Sequence, residues 1–498
     1  MKDKYILAVD QSTSGTKSIV LDRNARLIGK YYVEHSQYYP KPGWVEHDPE
    51  EIYQKTLMAI KNVLEENKIP TEDIGILAIT NQRETALVWD RNTGKPVYNA
   101  IVWQCQRAGE ICKELEKKGY DKVIKDKTGL ALSPYFSAAK IKWILDNVEG
   151  AREKARAGQL LCGNVDSWLV WKLTNGRVHA TDYSNASRTQ LFNIKELRWD
   201  PEILEIFDIP SCMLPEVKYS SDIFGYTSAS SIFPAELPIS GIMGDSHAAL
   251  FGQNCFEKGM AKATYGTGSS VMMNIGKEPL ESKGGLVTSI AWGAFGEIEY
   301  VFEGNINCTG ATIQWLVDNL ELIPDPKVTG EIASSIPDNE GVYFVPAFVG
   351  LSAPYWDSDA RASIIGMTRG TRKAHIVRAA EESIAYQIKD VLELMMQDSG
   401  IALKELRVDG GPTRDNFLMQ FQADMLGIPV ERNRITEVSA MGSAFMAGLA
   451  IGLWNSKDEI KALRQTDKVF TSHMESQERE RLYRGWKEAV RRTLSSYL

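Results

Sequence analysis

Two distant segments of the sequence share one plan, a β-rich stretch, a turn of small polar residues and a second β-rich stretch. They are ILAVDQSTSGTKSIVLD at residues 6–22 and AKATYGTGSSVMMNIG at residues 261–276. Each pattern predicts a β-hairpin, because residues of high β-propensity flank a run of Ser, Thr and Gly. Two such hairpins favour a duplicated architecture. Two unrelated hairpins explain the pattern equally well, because turns of this kind are common.

Helical and strand-like segments are mixed along the chain. Residues 56–66 and 140–148 carry apolar side chains at helical spacing, whereas residues 76–80 and 86–89 have the composition of strands. This mixture predicts an α/β fold. The 498 residues are enough for two or three domains with large buried cores.

Composition narrows the possible functions. The net charge is −8. The sequence therefore lacks the excess of positive charge that is typical of proteins that bind nucleic acid or an anionic membrane surface. The longest uncharged run, residues 438–454, is shorter than the ~20 residues of a membrane span, so it predicts a buried helix and no membrane insertion. The six cysteines form no CxxC pair, which is typical of reduced, buried thiols. Since the N-terminus also lacks a signal-peptide pattern, a cytoplasmic location is expected.

The first turn is a candidate phosphate-binding loop. Asp10 ends a β-rich stretch directly before the turn QSTSGTK at residues 11–17. Small residues let backbone N–H groups approach an anion, and Lys17 adds a positive charge. An aspartate at a strand end could hold Mg²⁺ directly or through water. The alternative is a purely structural role, a polar turn capped by Asp10. The second turn, residues 265–269, could hold a phosphate in the same way.

Two further segments could carry chemistry. Asp245 follows a glycine and precedes a run of small residues, so it could cap a helix or accept a proton from a substrate hydroxyl. His247 could also act as a base, although a single histidine near a helix start is more often structural. Residues 406–411, a strand that ends in two glycines, could contact a flat ligand such as adenine or form an ordinary tight turn.

Polar residues next to aromatic ones form another candidate site. Arg83 and Glu84 follow a predicted strand, Trp103 follows another, and Tyr135 lies farther along the chain. Polyols and sugars are bound by aromatic faces and hydrogen-bonding side chains together. Taken one by one, these residues are equally consistent with an ordinary ion pair and core aromatics.

Together, and in this order, the segments resemble the FGGY carbohydrate kinase family over nearly the whole chain. The shared stretches include YPKPGWVEHDP (39–49), ITNQRET (79–85), GKPVYNAIVWQC (94–105), YFSAAKIKWILD (135–146), DYSNASRTQLFNI (182–194), ATYGTG (263–268), APYWD (353–357) and FLMQFQADMLG (417–427). The resemblance implies an α/β fold of two actin-like ATPase domains, with ribonuclease H-like cores, flanking a deep catalytic cleft. Residues 1–252 would form the acceptor side with the first phosphate loop, and residues 253–498 the nucleotide side.

The resemblance also assigns roles to matching positions, with ATP and Mg²⁺ as the implied cofactors. Asp245 would be the general base. Mg²⁺ would be bound by Asp10 and Asp245. The acceptor would be contacted by Arg83, Glu84, Trp103, Tyr135, Asp245, Ser246 and Ser270. The nucleotide would be contacted by Ser12, Thr13, Ser14, Lys17, Thr267, Gly310, Gln314, Gly411 and Asp415.

The implied activity is transfer of the γ-phosphate of ATP to a terminal hydroxyl of glycerol. Ser246 and Ser270 depart from the bulkier residues usual in the family, and the wider pocket favours an alternative acceptor such as a tetritol, a pentitol or a ketose. An alternative of another class is a catalytically silent nucleotide-binding regulator, which loss of Asp10 or Asp245 would have favoured. The expected partners are a small polyol and ATP, and a homo-oligomer, either dimer or tetramer, is expected.

Overall fold

The computed structural model describes residues 4–230 and 232–497. The elements up to residue 252 are, in chain order, β1 (Tyr5–Gln11), β2 (Gly15–Leu21), β3 (Leu27–Glu34), β4 (Glu46–His47), α1 (Pro49–Glu66), β5 (Ile74–Asn81), β6 (Leu87–Asp90), β7 (Ala100–Ile101), α2 (Gly109–Lys117), α3 (Asp121–Thr128), α4 (Ser137–Asn147), α5 (Ala151–Arg156), β8 (Leu160–Gly163), α6 (Val165–Leu173), β9 (Ala180–Asp182), α7 (Tyr183–Ala186), β10 (Phe192–Asn193), β11 (Arg198–Trp199), α8 (Pro201–Phe207), β12 (Glu216–Lys218), β13 (Gly225–Tyr226), β14 (Pro238–Gly244) and α9 (Asp245–Gly252).

The elements that follow are β15 (Met260–Tyr265), β16 (Ser269–Gly276), β17 (Val287–Ala294), β18 (Glu297–Ile306), α10 (Gly310–Asp318), α11 (Thr329–Ser334), β19 (Tyr343–Val345), β20 (Ser363–Ile365), α12 (Lys373–Ser399), β21 (Glu405–Gly410), α13 (Asn416–Leu426), β22 (Val430–Asn433), α14 (Val438–Ala450), α15 (Lys457–Ala462), β23 (Thr466–Phe470) and α16 (Ser476–Thr493). Short 3₁₀ helices span Thr71–Asp73, Ser211–Met213, Pro326–Val328, Gly411–Arg414 and Ser495–Tyr497.

The two large sheets repeat one topology. The first has the strand order β13-β14-β5-β1-β2-β3, and the second has the order β17-β18-β16-β15-β21-β22-β23. In each sheet an antiparallel hairpin, β1-β2 or β15-β16, is extended by a third antiparallel strand. On its other side the hairpin is followed by two parallel strands, β5-β14 or β21-β22. The hairpins therefore belong to a duplicated architecture and are not an unrelated pair.

Strand β1 is buried on both faces, which explains its unbroken apolar run. Leu7 and Val9 belong to the core under α1 and α6. Ile6 and Ala8 pack on the opposite face with residues of α9 and α14. Because side chains alternate along a strand, Asp10 continues the second set and faces the side of the sheet covered by α14.

Helices α9 and α14 occupy equivalent places after the last parallel strand of each repeat, and they cross at very short distance. A Cβ atom on Gly442 would lie 1.8 Å from the carbonyl oxygen of Ala248, and one on Gly252 would lie 2.1 Å from that of Val438. Only glycine fits such a backbone contact. Most of the uncharged run at 438–454 therefore forms the predicted buried helix, Val438–Ala450, which packs against the helix that begins at Asp245.

The local predictions hold where apolar patterns are strong. The helix predicted at 56–66 is the second half of α1, which begins seven residues earlier because Asp48 caps it by accepting hydrogen bonds from the backbone of Glu50 and Glu51. Strand β3 went unpredicted because it is an edge strand with alternating exposed positions. Throughout the described residues, the helices are too short or too polar to span a membrane.

Candidate active site

The first hairpin sets Asp10 opposite Lys17 across β1 and β2. Burial raises the pKa of Asp10 to about 6, and the carboxylates of Asp245 and Glu437 act in the same direction, against the ammonium of Lys17. The Lys17 Nζ lies 3.9 Å from Glu437 Oε1 at the start of α14. Asp10 and Lys17 therefore lie on the face of the first sheet that is turned toward α14.

Within the turn, the predicted phosphate-loop serines have local partners. The Ser12 hydroxyl donates to the carbonyl of Gly15 at 2.9 Å, and the Tyr32 hydroxyl donates to Ser14 Oγ at 3.2 Å. These bonds close the turn. Thr13 instead accepts a hydrogen bond from the indole Nε1 of Trp103 at 2.9 Å, which ties the turn to the predicted acceptor residues.

Trp103 and Tyr135 form an aromatic wall. Their ring centroids are 5.5 Å apart in an edge-to-face arrangement. The buried ammonium of Lys140 donates hydrogen bonds to the carbonyls of Tyr135 and Phe136 and anchors this loop. Two residues predicted from separate segments thus form one surface of the site.

A buried cluster of four charges lies beside this wall. Arg83 binds Glu303 through both terminal nitrogens, at 2.9 and 2.8 Å. Arg188 lies between the two acids, 2.5 Å from Glu84 Oε1 and 2.9 Å from Glu303 Oε2. Since Glu303 lies on β18 and the other three residues lie before α9, the cluster joins the two repeats. Such bidentate, desolvated pairs are strong and geometrically specific.

The charges in this cluster shift one another's pKa values. Burial alone would raise the pKa of Glu303, but the guanidinium groups of Arg188 and Arg83 hold it well below its usual range. Burial raises the pKa of Glu84 despite the same two cations. Glu84 also has a positive φ of 61°, a strained conformation that functional sites often retain.

Sequence reasoning overlooked Arg188 and Glu303. Arg188 lies inside the shared stretch at residues 182–194, and Glu303 is a charged residue within the largely buried strand β18. A charge in the middle of a buried strand was the available signal, because such a residue is costly unless it is paired.

Asp245 is the first residue of α9, and Gly244 occupies the N-cap position. Its carboxylate accepts a hydrogen bond from the backbone of Ser246 at 2.6 Å and lies 3.2 Å from Arg83 Nε. The positive end of the helix dipole favours a carboxylate there. The side chain is 37% exposed, so it is available to a ligand. His247 is instead buried, and its Nε2 contacts Ser289 Oγ at 3.1 Å.

An acceptor cavity of about 960 Å³ collects the predicted acceptor residues. Its lining includes every one of them, namely Arg83, Glu84, Trp103, Tyr135, Asp245, Ser246 and Ser270. Thr13 lines it from the first turn. The fold therefore brings together residues that were predicted from six separate places in the sequence.

A second cavity, of about 1100 Å³, collects predicted nucleotide residues. Its lining includes Thr267, Gly310, Gln314, Gly411 and Asp415. Thr267 also lines the acceptor cavity, so the two cavities meet at the second hairpin turn. Asp10, Ser12, Ser14 and Lys17 belong to neither lining and lie on the first hairpin.

Several nucleotide-side residues shape the cavity through the backbone. A Cβ on Gly310 would lie 2.5 Å from the carbonyl of Gly266, so α10 begins tightly against the second turn. Asp415 caps α13 by accepting a hydrogen bond from the backbone of Phe417 at 2.8 Å. Gln314 is held by Asp318 at 2.9 Å.

The residues present suit a magnesium ion that arrives with a nucleotide. Asp10 is a poorly solvated carboxylate near another acid, and a divalent cation would stabilise its charged form. No group of three or more acidic, His or Cys side chains in metal-binding arrangement occurs in the described parts of the chain. Mg²⁺ commonly keeps waters and takes only one or two carboxylates together with substrate phosphates, so this sparse donor set fits.

Two repeated sheets, a hairpin turn where two cavities meet and a carboxylate at a helix N-terminus are the arrangement expected of a phosphotransferase that acts on an alcohol group. The comparisons agree. The family models match residues 5–252, as the N-terminal domain of the FGGY family of carbohydrate kinases, and residues 261–451, as its C-terminal domain. The chain belongs to the FGGY family of carbohydrate kinases.

Individual relatives are similar over their full length. The chain is 57% identical to a glycerol kinase of Caldanaerobacter subterraneus subsp. tengcongensis over 491 residues, with 99% of both chains covered. It is 57% identical to glycerol kinase 2 of Thermotoga maritima, again with 99% of both covered. Its fold matches the crystal structure of Plasmodium falciparum glycerol kinase with ADP, with a TM-score of 0.94, 40% identity, and coverage of 99% of this chain and 98% of that one.

Proposed function

We propose that this protein transfers the γ-phosphate of ATP to a terminal hydroxyl of glycerol, forming glycerol 3-phosphate and ADP. Full-length identity of 57% to glycerol kinases supports the reaction. The observation that carries it is the contact of Arg83 Nε with Asp245 at 3.2 Å inside a cavity that meets the nucleotide cavity at Thr267. A polyol held at Arg83 would lie between the candidate base and the nucleotide.

The acceptor is held by opposed polar and apolar groups. Arg83 and Glu84 supply hydrogen-bond donors and acceptors for hydroxyl groups, and the buried pairs with Arg188 and Glu303 keep both side chains in place. The ring faces of Trp103 and Tyr135 pack against the carbon chain. Positioning of this kind lowers the entropic cost of the transfer step.

Asp245 acts as the general base. A carboxylate accepts the proton of the attacking hydroxyl as the oxygen approaches the phosphorus. Arg83 orients the carboxylate through their 3.2 Å contact. The bond from oxygen to phosphorus then forms as the bond to ADP breaks, and the proton remains on Asp245 until it passes to solvent.

The phosphate groups of ATP would lie between the two hairpins. Lys17 and Thr13 face them from the first repeat and Thr267 from the second, while Gly310 and Gly411 let the backbone approach the nucleotide. Mg²⁺ bound with ATP, and held by Asp10 directly or through water and by Asp245, would neutralise charge on the phosphates. Exclusion of water from the space between the repeats would suppress hydrolysis of ATP.

Detection of glycerol 3-phosphate tests this proposal. Purified protein is incubated with ATP, Mg²⁺ and glycerol, and product is identified by mass spectrometry while ADP is measured in a coupled assay. ADP and glycerol 3-phosphate formed in equal amounts are expected. Binding of ATP without product, for any polyol supplied, would overturn the proposal in favour of a silent nucleotide-binding regulator.

The remaining expectations are part of the same proposal. A cytoplasmic location is supported by the free cysteines, five of which are buried, since free thiols persist in reducing compartments. A homo-oligomer is proposed as well, and light scattering coupled to size-exclusion chromatography measures it. The acidic net charge of −8 argues against nucleic acid as a partner.

A further inference from the structure

One face of the second sheet presents a row of polar side chains to the acceptor cavity. Thr264 pairs with Ser270 across β15 and β16, and Ser270 pairs with Asn305 across β16 and β18. Directly opposed residues project to the same side of a sheet, and so do residues two apart. Lys262, two residues before Thr264, therefore shares this face. All four residues line the acceptor cavity.

The row begins next to the charged cluster. Glu303 precedes Asn305 by two residues on β18 and binds Arg83 at 2.8 Å, and Arg83 contacts Asp245 at 3.2 Å. Residues two apart on a strand are about 7 Å from each other. An acceptor whose first carbons lie at Arg83 can therefore extend onto this row.

Lys262 is a buried ammonium whose carboxylate partner is missing. Its residue is 1% exposed, and in residues 4–230 and 232–497 it makes no ion pair within 4 Å. Its Nζ lies 3.1 Å from Thr264 Oγ1 and 3.5 Å from Ser270 Oγ. An ammonium carries three hydrogens, so a donor is left for a ligand oxygen. Burial lowers the pKa of Lys262, although Asp409 and Glu303 oppose that shift.

Three other polar side chains of the cavity lack a hydrogen-bond partner within the described residues. Across the described chain, no protein group hydrogen-bonds to the side-chain amide of Asn305, and the same holds for the Ser246 hydroxyl and the Gln104 amide. All three line the acceptor cavity. A site built to hydrogen-bond extra hydroxyls favours the ligand that carries them, because the groups otherwise stay unpaired.

The cavity also has room for a longer acceptor. Its volume of about 960 Å³ lies at the upper end of the roughly 300–1,000 Å³ typical of ligand pockets. Glycerol, with three carbons, and one phosphoryl group leave much of that space unfilled. The polar row lines this same cavity.

We propose that Lys262, Ser270 and Asn305 form a second acceptor subsite, which binds the hydroxyls of linear polyols with four or five carbons, so that these are phosphorylated together with glycerol. This inference rests on the proposed kinase activity. The terminal hydroxyl next to Asp245 is phosphorylated in every case, and the distal hydroxyls accept from Lys262 and exchange hydrogen bonds with Asn305 and Ser270.

A polyol panel tests the subsite. The values of kcat/KM are measured for glycerol, erythritol, threitol, ribitol, xylitol and arabinitol with saturating ATP. At least one longer polyol is expected at about one-tenth of the glycerol value or higher, since one lost hydrogen bond changes affinity about tenfold. Values below that for every longer polyol would overturn the subsite and leave the glycerol reaction intact. No turnover with any polyol would overturn both proposals.

A variant pair identifies the residues responsible. Asn305→Ala removes an exposed side chain without burying or unpairing anything, so folding is expected to be preserved. It should lower the ratio of kcat/KM for the best longer polyol to that for glycerol about tenfold. The matched control is Asn24→Ala, which removes an exposed asparagine in the turn after β2 and should leave the ratio unchanged. An unchanged ratio in Asn305→Ala would overturn the role of Asn305 and with it the subsite.

Discussion

The two repeats place their acidic residues in different strands of the same topology. In the first, Asp10 lies on the hairpin strand β1 and its neighbour on the parallel strand β5 is Thr80. In the second, Thr264 lies on the hairpin strand β15 and its neighbour on β21 is Asp409. The aspartate therefore lies on the hairpin strand in the first repeat and on the neighbouring parallel strand in the second, with a threonine at the other position each time. Each hairpin could bind phosphate groups, but only the first offers a carboxylate on its own strand.

The repeats also differ in what connects their parallel strands. Between β5 and β14 the first repeat inserts residues 82–237, which carry the aromatic wall and Arg188. Between β21 and β22 the second inserts only residues 411–429. The long insertion of the first repeat contributes Arg83, Trp103 and Tyr135 to one cavity, whereas the short one of the second contributes Gly411 and Asp415 to the other. The two repeats therefore share their strand order and differ in the length of this connection.

The largest expected effect comes from the carboxylate at the start of α9. Replacing Asp245 with Asn keeps the shape but removes the base, so kcat should fall by about 100-fold to 10,000-fold. Glycerol-dependent release of ADP measures this. Asp121→Asn, which changes an exposed aspartate at the start of α3, is the matched control. A kcat near that of the wild type in Asp245→Asn would refute the base assignment.

The second prediction compares the effects of replacing Asp10 and Asp409, the acidic residues that lie on different strands of the two repeats. Asp10→Asn should lower kcat about 100-fold and raise the Mg²⁺ concentration needed for half-maximal rate, because it removes a proposed metal contact. Asp409→Asn should lower kcat much less, because the buried Asp409 accepts a hydrogen bond from Gln253 at 2.9 Å and an amide oxygen can accept it too. Equal losses, with equal shifts in Mg²⁺ dependence, would show that the repeats are functionally interchangeable.

A third prediction concerns the crossing of the equivalent helices α9 and α14. Gly442→Ala should lower the free energy of unfolding by about 1–3 kcal/mol, because the new methyl group meets the backbone of Ala248. Denaturation by urea measures it. Gly109→Ala is the control, since a Cβ there has no atom within 4 Å. If both variants were equally stable, the close crossing would not be a constraint on the fold.

A further prediction concerns a pH dependence of stability in the insertion of the first repeat. Burial raises the pKa of Asp166 to about 7, with Asp182 adding to the shift and Thr181 opposing it. The folded state then binds more protons than the unfolded state between about pH 4 and pH 7, so this group's contribution to stability is lost as pH rises through that window.

Asp166→Asn should remove this dependence. Relative to the wild type, the variant should gain up to about 4 kcal/mol of stability between about pH 4 and pH 8. Urea denaturation at several pH values gives the difference. A difference that stays constant with pH would mean that Asp166 remains charged in the folded protein, compensated by Thr181, whose hydroxyl donates to it at 2.5 Å.

The sequence predicted the local elements of the site well. The hairpins at 6–22 and 261–276 and the buried helix within residues 438–454 follow from apolar patterns and turn residues, which act over short distances. Arg83 and Trp103 were recognisable because a charged and an aromatic side chain follow predicted strands, and Tyr135 because it is an aromatic residue beside another one. Each of these signals is contained in fewer than twenty consecutive residues.

The pairing within the charged cluster could not be predicted from local sequence patterns. Arg83 and Glu303 are 220 positions apart in sequence, and Arg188 and Glu84 are 104 apart. No local pattern records which charge pairs with which. The uncommitted state of Lys262 is also invisible in the sequence, because it depends on what the neighbouring strands β16 and β18 bring within 4 Å.

The sequence by itself determined the α/β class, the two hairpins and the residue types needed for phosphoryl transfer, because backbone propensity and burial of apolar surface act locally. The tertiary structure decided which charges are buried together, where the two cavities meet and which polar groups remain free for a ligand. Those properties arise from desolvation and from pairing across sheets and helices. They exist only once the two repeats have packed against each other at α9 and α14.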